Sequence, residues 1–193
     1  MENVNRTRVL KAARDLFNTR GYRSVTIQDL AGKLGMSKKT VYQYFSSKEE
    51  IATAVVEESM EKVRQVLSVS DRSQSDPLLE IKEILIHVKD ESIRFGPLFL
   101  MDIEKYLPEL SNRYKRLRHE GNQYIVQLFT TAQHIGLIKQ NIPIDQVVEI
   151  LRTCLRALVN THAFSESRYS IEQKLDLFLD IFCKGIANSG RDD

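Results

Sequence analysis

Two cysteines, Cys154 and Cys183, are all that this 193-residue chain has, and they form no Cys-x-x-Cys pair. A disulfide framework and a cysteine-ligated structural zinc are therefore not expected; both thiols lie in apolar helical surroundings and read as buried and inert. The four histidines, His87, His119, His134 and His162, have no metal-ligand spacing among themselves, so no metal is expected, and no cofactor. No apolar run approaches the roughly twenty residues that span a bilayer, and the amino terminus MENVNRTRV lacks the apolar stretch of a secretory signal, which leads us to expect a cytosolic protein with no membrane partner. Gly-rich phosphate loops, a nucleophile elbow, HExxH and a convincing Ser-His-Asp arrangement are all missing, so no catalytic residue is assigned. Triad members need not be close in sequence, so a helical enzyme stays as a remote alternative. Period-two alternation flanked by hairpin turns is absent as well; the apolar residues recur at three and four, which predicts an all-α fold.

What is present is concentrated in residues 26–50, TIQDLAGKLGMSKKTVYQYFSSKEE. Thr26 is a good N-cap with Asp29 three residues on, and Ile27, Leu30, Ala31 and Leu34 fall on one face of a short helix. Gly35 ends it, being free to take positive φ, and Ser37 caps a second helix whose Val41 and Phe45 point inward over Met36. The opposite face carries Lys39, Thr40 and Gln43, flanked by Lys38, Tyr42 and Tyr44, with no carboxylate. Amide and ammonium groups suit base edges in the major groove, and hydroxyls and charges suit the phosphates on either side. Ser47-Lys48-Glu49-Glu50 then opens a third helix with a capping box that aims backbone N–H groups at the same surface. This is a helix-turn-helix, and double-stranded DNA is the expected partner. A solvated lysine face beside tyrosines that cover the core edge is the plainer alternative.

The charge distribution agrees. Residues 1–48 hold ten Lys or Arg against three Asp or Glu, a net +7, which leaves 18 against 23, or −5, for the rest.

The first fifty residues resemble the N-terminal domain of the TetR family of bacterial transcriptional repressors. The likeness is carried by Ala13, Leu16, Phe17, Gly21, Tyr22, Thr26, Ile27, Leu30, Ala31, Gly35, Ser37, Thr40, Val41, Tyr42, Phe45, Lys48 and Glu49. It implies a three-helix DNA-binding domain, with Thr26, Ser37, Lys38, Thr40, Tyr42, Tyr44 and Lys48 at DNA-contacting positions. Where many members have glycine after the Ser-Lys pair this chain has Lys39, a long cation that reads a guanine or a phosphate.

Helix 1 is predicted from about Asn5 to Arg20, with Val9, Ala13, Leu16 and Phe17 inward and Gly21 as its C′ residue; helix 4 runs from Ser47 through Leu67 into a polar SVSDRSQSD loop. Asp76-Pro77 opens helix 5, which includes Leu79, Val88 and Ile93 and ends at Gly96-Pro97; a short helix 6 ends near Tyr106-Leu107; helix 7 extends from Pro108 to Gly136. Two more, from Ile144 to about Phe164 and from Ser170 to about Ala187, bring the count to nine, and the GRDD tail should fray. The domains are read as a helix-turn-helix domain, residues 1–48, and a helical regulatory and dimerisation domain, residues 49–193, joined by helix 4.

Apolar residues cover more of helix 8 than one core stripe needs, and the last helix carries a strong stripe of its own. Leu151, Leu155, Leu158, Leu175, Phe178 and Phe182 are candidates for a two-fold interface, with a single wide intramolecular core as the alternative. The family resemblance implies the same homodimer, and a ligand pocket in the C-terminal domain whose occupancy by a small-molecule inducer moves helix 4 and frees the DNA. Candidate pocket residues, chosen from their chemistry, are Phe95, Phe99, Met101, Tyr106, Tyr124, Phe129 and His162, each of which also reads as core. Arg152 and Arg156, one turn apart, suit an anionic ligand, a solvated stripe or an intersubunit ion pair. The expected protein is a dimeric bacterial repressor, on the nucleoid when DNA-bound, released from a palindromic operator by a small molecule. A protein of the same fold that binds DNA constitutively or answers to a protein partner is the alternative.

Overall fold

The computed structural model describes residues 2–68, 77–159 and 168–188. Among them the chain forms nine helices: α1 Glu2–Arg20, α2 Ile27–Leu34, α3 Lys38–Tyr42, α4 Lys48–Ser68, α5 Pro77–Arg94, α6 Pro97–Tyr106, α7 Pro108–His134, α8 Ile144–Val159 and α9 Ile171–Ile186. The all-α expectation holds, with one isolated antiparallel bridge between Ile138 and Ala187. Helix α1 begins three residues before its expected start. The Asp76 cap, the polar loop after α4, the extension of α8 to Phe164, His162 and the GRDD tail lie outside the described residues, as do the side chains of Leu67, Leu79, Val88 and Ile93. None of the described helices is long and apolar enough to cross a membrane.

The chain divides into two compact units, Met1–Gln65 with Arg94–Arg118, and Val66–Ile93 with His119–Asp193. The unit holding the helix-turn-helix thus extends well beyond residue 48. Its helices α1 to α3 close over Val9, Ala13, Phe17, Leu30, Val41 and Phe45, all buried. Helix α6 then packs on α1 through aromatic rings: Phe99 stacks on Phe17 at 5.2 Å, Phe17 meets Tyr22 edge-on at 5.6 Å, Phe95 meets Phe99 at 5.4 Å, and Tyr114 of α7 meets Phe95 at 5.8 Å. Such contacts add to the area buried by each ring. Phe95 and Phe99 are therefore part of the core of this unit.

Polar contacts bind the same helices. The Asn18 side chain donates to the Arg94 carbonyl at 2.8 Å and accepts from the Gly96 amide at 2.9 Å, so α1 grips the α5–α6 junction with both ends of one amide. Glu58 of α4 pairs with Arg94 at 3.0 Å, and Glu57 pairs with Arg113 of α7 at 2.9 Å. The whole unit has 18 Lys or Arg against 11 Asp or Glu, a net +7.

The second unit is built around Leu85 of α5, Phe129 of α7, Leu151 and Leu155 of α8 and Leu175 of α9, each nearly or fully buried. Amides on both sides of the Ile138–Ala187 bridge exchange bonds, Lys139 donating to the Ile186 carbonyl and Asn188 to the Leu137 carbonyl, which ties the end of α9 to the turn after α7. Among the residues expected to meet a second copy, Leu151, Leu155 and Leu175 are 0%, 1% and 0% exposed within one protomer. They hold α8 against α9 and are unavailable to a partner. Leu158, Phe178 and Phe182 are half-buried, packed against that core. Large apolar side chains exposed on these helices include Ile150, Leu177 and Ile181, next to the residues expected.

Candidate nucleic-acid interface

Local chemistry sets each end of the helix-turn-helix. The Thr26 hydroxyl accepts from the Asp29 amide at 3.1 Å, and the Asp29 carboxylate accepts from the Thr26 amide at 2.8 Å and its hydroxyl at 2.6 Å. This capping box satisfies amides that α2 cannot satisfy itself. Gly35 sits at φ +64°, where a Cβ would be strained, and lets the Met36 amide return to the Ala31 carbonyl at 2.9 Å. Ser37 then starts α3, accepting from the Thr40 amide at 3.0 Å, and the two hydroxyls share a further bond at 2.9 Å.

The nine expected DNA-contacting residues do not all reach the surface in the same way. Lys38, Lys39, Tyr42 and Gln43 are exposed, and so is Ser37. Thr40 and Tyr44 are half-buried, and the Tyr44 hydroxyl accepts from the side chain of Asn5 in α1 at 3.1 Å. The Thr26 hydroxyl, both donating and accepting within its own box, is a helix cap and has no proton for a phosphate. The largest correction concerns Lys48. Its ammonium donates to the carbonyls of Tyr22, Arg23 and Val25 at 2.9, 3.2 and 2.8 Å and lies 4.4 Å from the centre of the Tyr22 ring. Three protons meet three acceptors, so this lysine latches the α1–α2 loop and has none left over for DNA. Burial moves its ammonium below the ordinary lysine range, while the Asp102 carboxylate acts in the opposite sense.

Asp102 escaped sequence reading altogether. From α6 its carboxylate accepts the Arg23 amide at 2.8 Å, close to Gly21, where a Cβ would lie 2.6 Å from the same oxygen. Arg23 in turn donates to the Tyr106 hydroxyl at 2.6 Å, and this bond holds the phenol below the usual tyrosine range. Tyr106 is thus a partner of the α1–α2 loop in this unit, and Met101, also a candidate pocket residue, is 67% exposed. Tyr124 and Phe129 belong to the second unit, where Tyr124 donates to Glu80 and Phe129 is fully buried.

At the start of α4 the expected box is displaced by one residue. Ser47 accepts from the Glu50 amide at 3.0 Å, but the Glu50 carboxylate accepts from the amide and hydroxyl of Ser46, both at 2.6 Å. These bonds lower the Glu50 carboxyl below its ordinary range, as the Thr26 bonds lower that of Asp29. A carboxyl lowered by folding contributes stability above its unfolded value, about pH 4, and that contribution is lost as pH falls through the folded value. Melting temperatures followed from pH 7 into the acid should therefore show wild type and Asp29→Asn converging as the pH drops. Curves that stay parallel through the acid limb would remove Asp29 from the pH dependence.

Comparisons with known proteins agree with this geometry. The family described as bacterial regulatory proteins, tetR family, matches residues 9–55, which span α2, α3 and most of α1. The transcriptional repressor AcnR of Corynebacterium diphtheriae is 22% identical over 176 residues, 91% of this chain and 90% of its own. The transcriptional activator FasR of Mycolicibacterium smegmatis is 38% identical over 101 residues, 50% of this chain and 46% of its own. Among solved structures, the ketosteroid transcriptional regulator KstR2 of Mycobacterium tuberculosis shares the fold with a TM-score of 0.68 at 16% identity, covering 95% of both chains. Residues 9–55 thus match the tetR family of bacterial regulatory proteins, and with a fold shared over nearly the whole length and a cation-rich recognition helix the chain is a DNA-binding transcriptional regulator.

Proposed function

We propose that the protein is a dimeric repressor that holds a palindromic operator and is released by a small apolar or amphipathic ligand. The observation that carries the DNA part of this reading is the exposed row Lys38, Lys39, Tyr42 and Gln43 on a helix without a carboxylate, in a unit of net charge +7. The exposed Ile150, Leu177 and Ile181 on α8 and α9 support a two-fold partner. Two recognition helices related by such an axis match half-sites about one helical turn, ~34 Å, apart or somewhat more. Its place of action is the bacterial cytoplasm, on the nucleoid.

Release by a ligand is a two-state equilibrium: the effector binds the form that does not hold DNA more tightly, by the same factor by which it weakens DNA affinity. One polar pair lies part-buried in the second unit, Tyr124 with Glu80, while Lys89 pairs with the exposed Asp176 at 2.7 Å, and a ligand with a polar head group would exchange the first of them. The test is selection of bound fragments from a random DNA pool by the purified protein, followed by a salt titration on the winning sequence. A palindrome establishes the dimeric regulator; sequence-blind binding rejects it. On that sequence, Lys39→Ala and Gln43→Ala should change base preference at particular positions, while loss of one phosphate contact should lower the salt slope by about 0.9. Uniform weakening across sequences would place both side chains on the backbone.

A further inference from the structure

We infer that Asn5, in the first turn of α1, is a positioning residue for DNA binding that acts through the hydroxyl of Tyr44. The inference rests on the reading of Tyr44 as a DNA contact and adds to it the residue that aims its proton. Arg8 donates from its guanidinium to the Asn5 amide oxygen at 3.2 Å. A guanidinium has donors only, so the Asn5 oxygen must face Arg8 and its nitrogen is left to face Tyr44. That nitrogen donates to the Tyr44 oxygen at 3.1 Å, across 39 residues of sequence. A phenol has one proton; with its oxygen already accepting from Asn5, the proton turns away from α1 and remains to donate elsewhere. Had the residue at position 5 offered an acceptor to Tyr44, that proton would have been drawn inward.

The surroundings keep this chain of bonds in place. Arg6, the next residue of α1, lies with its guanidinium 4.9 Å from the centre of the ring of Phe45, the next residue after Tyr44. Phe45 is 2% exposed and fixed in the core. Two successive residues of α1 thus engage two successive residues at the end of the recognition segment, directly after Gln43, the C-cap of α3. Tyr44 is half-buried, and a phosphate oxygen is the charged acceptor that would strengthen the hydrogen bond its free proton donates.

The experiment is a double-mutant cycle on the full-length protein, read by fluorescence anisotropy with a duplex of the sequence selected from the random pool. Tyr44→Phe should weaken binding by about tenfold, the loss of one hydrogen bond to a charged group, and Asn5→Ala by a smaller factor. The double variant should bind no more weakly than Tyr44→Phe alone. Because the hydroxyl is neutral and displaces no counterion, the salt slope should be the same for all four proteins. If Asn5→Ala weakens binding by the same factor with or without the Tyr44 hydroxyl, or changes the slope, Asn5 merely holds α1 in place and the inference falls. A Tyr44→Phe protein that binds like wild type overturns it too, while leaving the regulator reading intact; failure to select any sequence strikes that reading instead.

Discussion

Phe99→Ala is expected to destabilise the DNA-binding unit by about 3–5 kcal/mol, although the residue lies more than fifty positions beyond the helix-turn-helix. The ring is fully buried, stacked on Phe17 of α1 and in contact with Phe95, so its removal would leave a cavity in the core. A loss of that size approaches the entire stability of many small domains. Denaturant unfolding should show the shift, and DNA binding should fail at temperatures where wild type still binds. The competing role, a wall of the effector pocket, makes a different forecast: stability near wild type, normal DNA affinity without ligand, and an altered response to the inducer. That second pattern would return Phe99 to the pocket.

In the proposed dimer, placing glutamate at both Leu177 and Ile181 is expected to separate the protein into monomers while each protomer stays folded. The two side chains are 61% and 60% exposed, one turn apart on α9, so charge there costs the isolated protomer little. Across a two-fold apolar interface, by contrast, four unpaired carboxylates would be desolvated together. DNA affinity should fall by a factor of 10²–10⁴, about the gain that linking two binding modules provides. Sedimentation and anisotropy on the selected duplex measure both effects. Leu151→Ala supplies the contrast, since its side chain is wholly inside one protomer; it should lower stability by about 2–5 kcal/mol. A double glutamate variant that remains a dimer would move the interface to another face.

How much of this was legible in the sequence depended on distance along the chain. The Thr26–Asp29 box, the Gly35 turn and the Ser37 cap join residues three to five apart, so their residue types and spacing disclose them. The contacts that complete the unit join residues some eighty apart, Phe17 with Phe99 and Arg23 with Asp102, and no local pattern marks them. An aromatic side chain on an apolar helix face looks the same whether it lines a cavity or fills a core, as Phe95 and Phe99 illustrate. Lys48 shows the same limit for charge: a lysine beside a recognition helix suggests a phosphate, and only the fold reveals that three carbonyls already surround it. On α8, Ile150 and Leu151 are neighbours in sequence, yet one is 55% exposed and the other buried. The width of an apolar helix does not say which of its side chains the protomer buries.

Because the DNA-reading unit is assembled from Met1–Gln65 and Arg94–Arg118, it is not a portable segment. A single genetic crossover anywhere between those stretches would leave Phe17 from one parent facing whatever the other supplies at position 99, and Asn18 facing a foreign junction at position 96. Operator specificity in such a protein is more safely exchanged by altering a few side chains of α3 than by transplanting the N-terminal half. Descent should therefore have conserved the pairing between the two stretches even where the bases being read have changed.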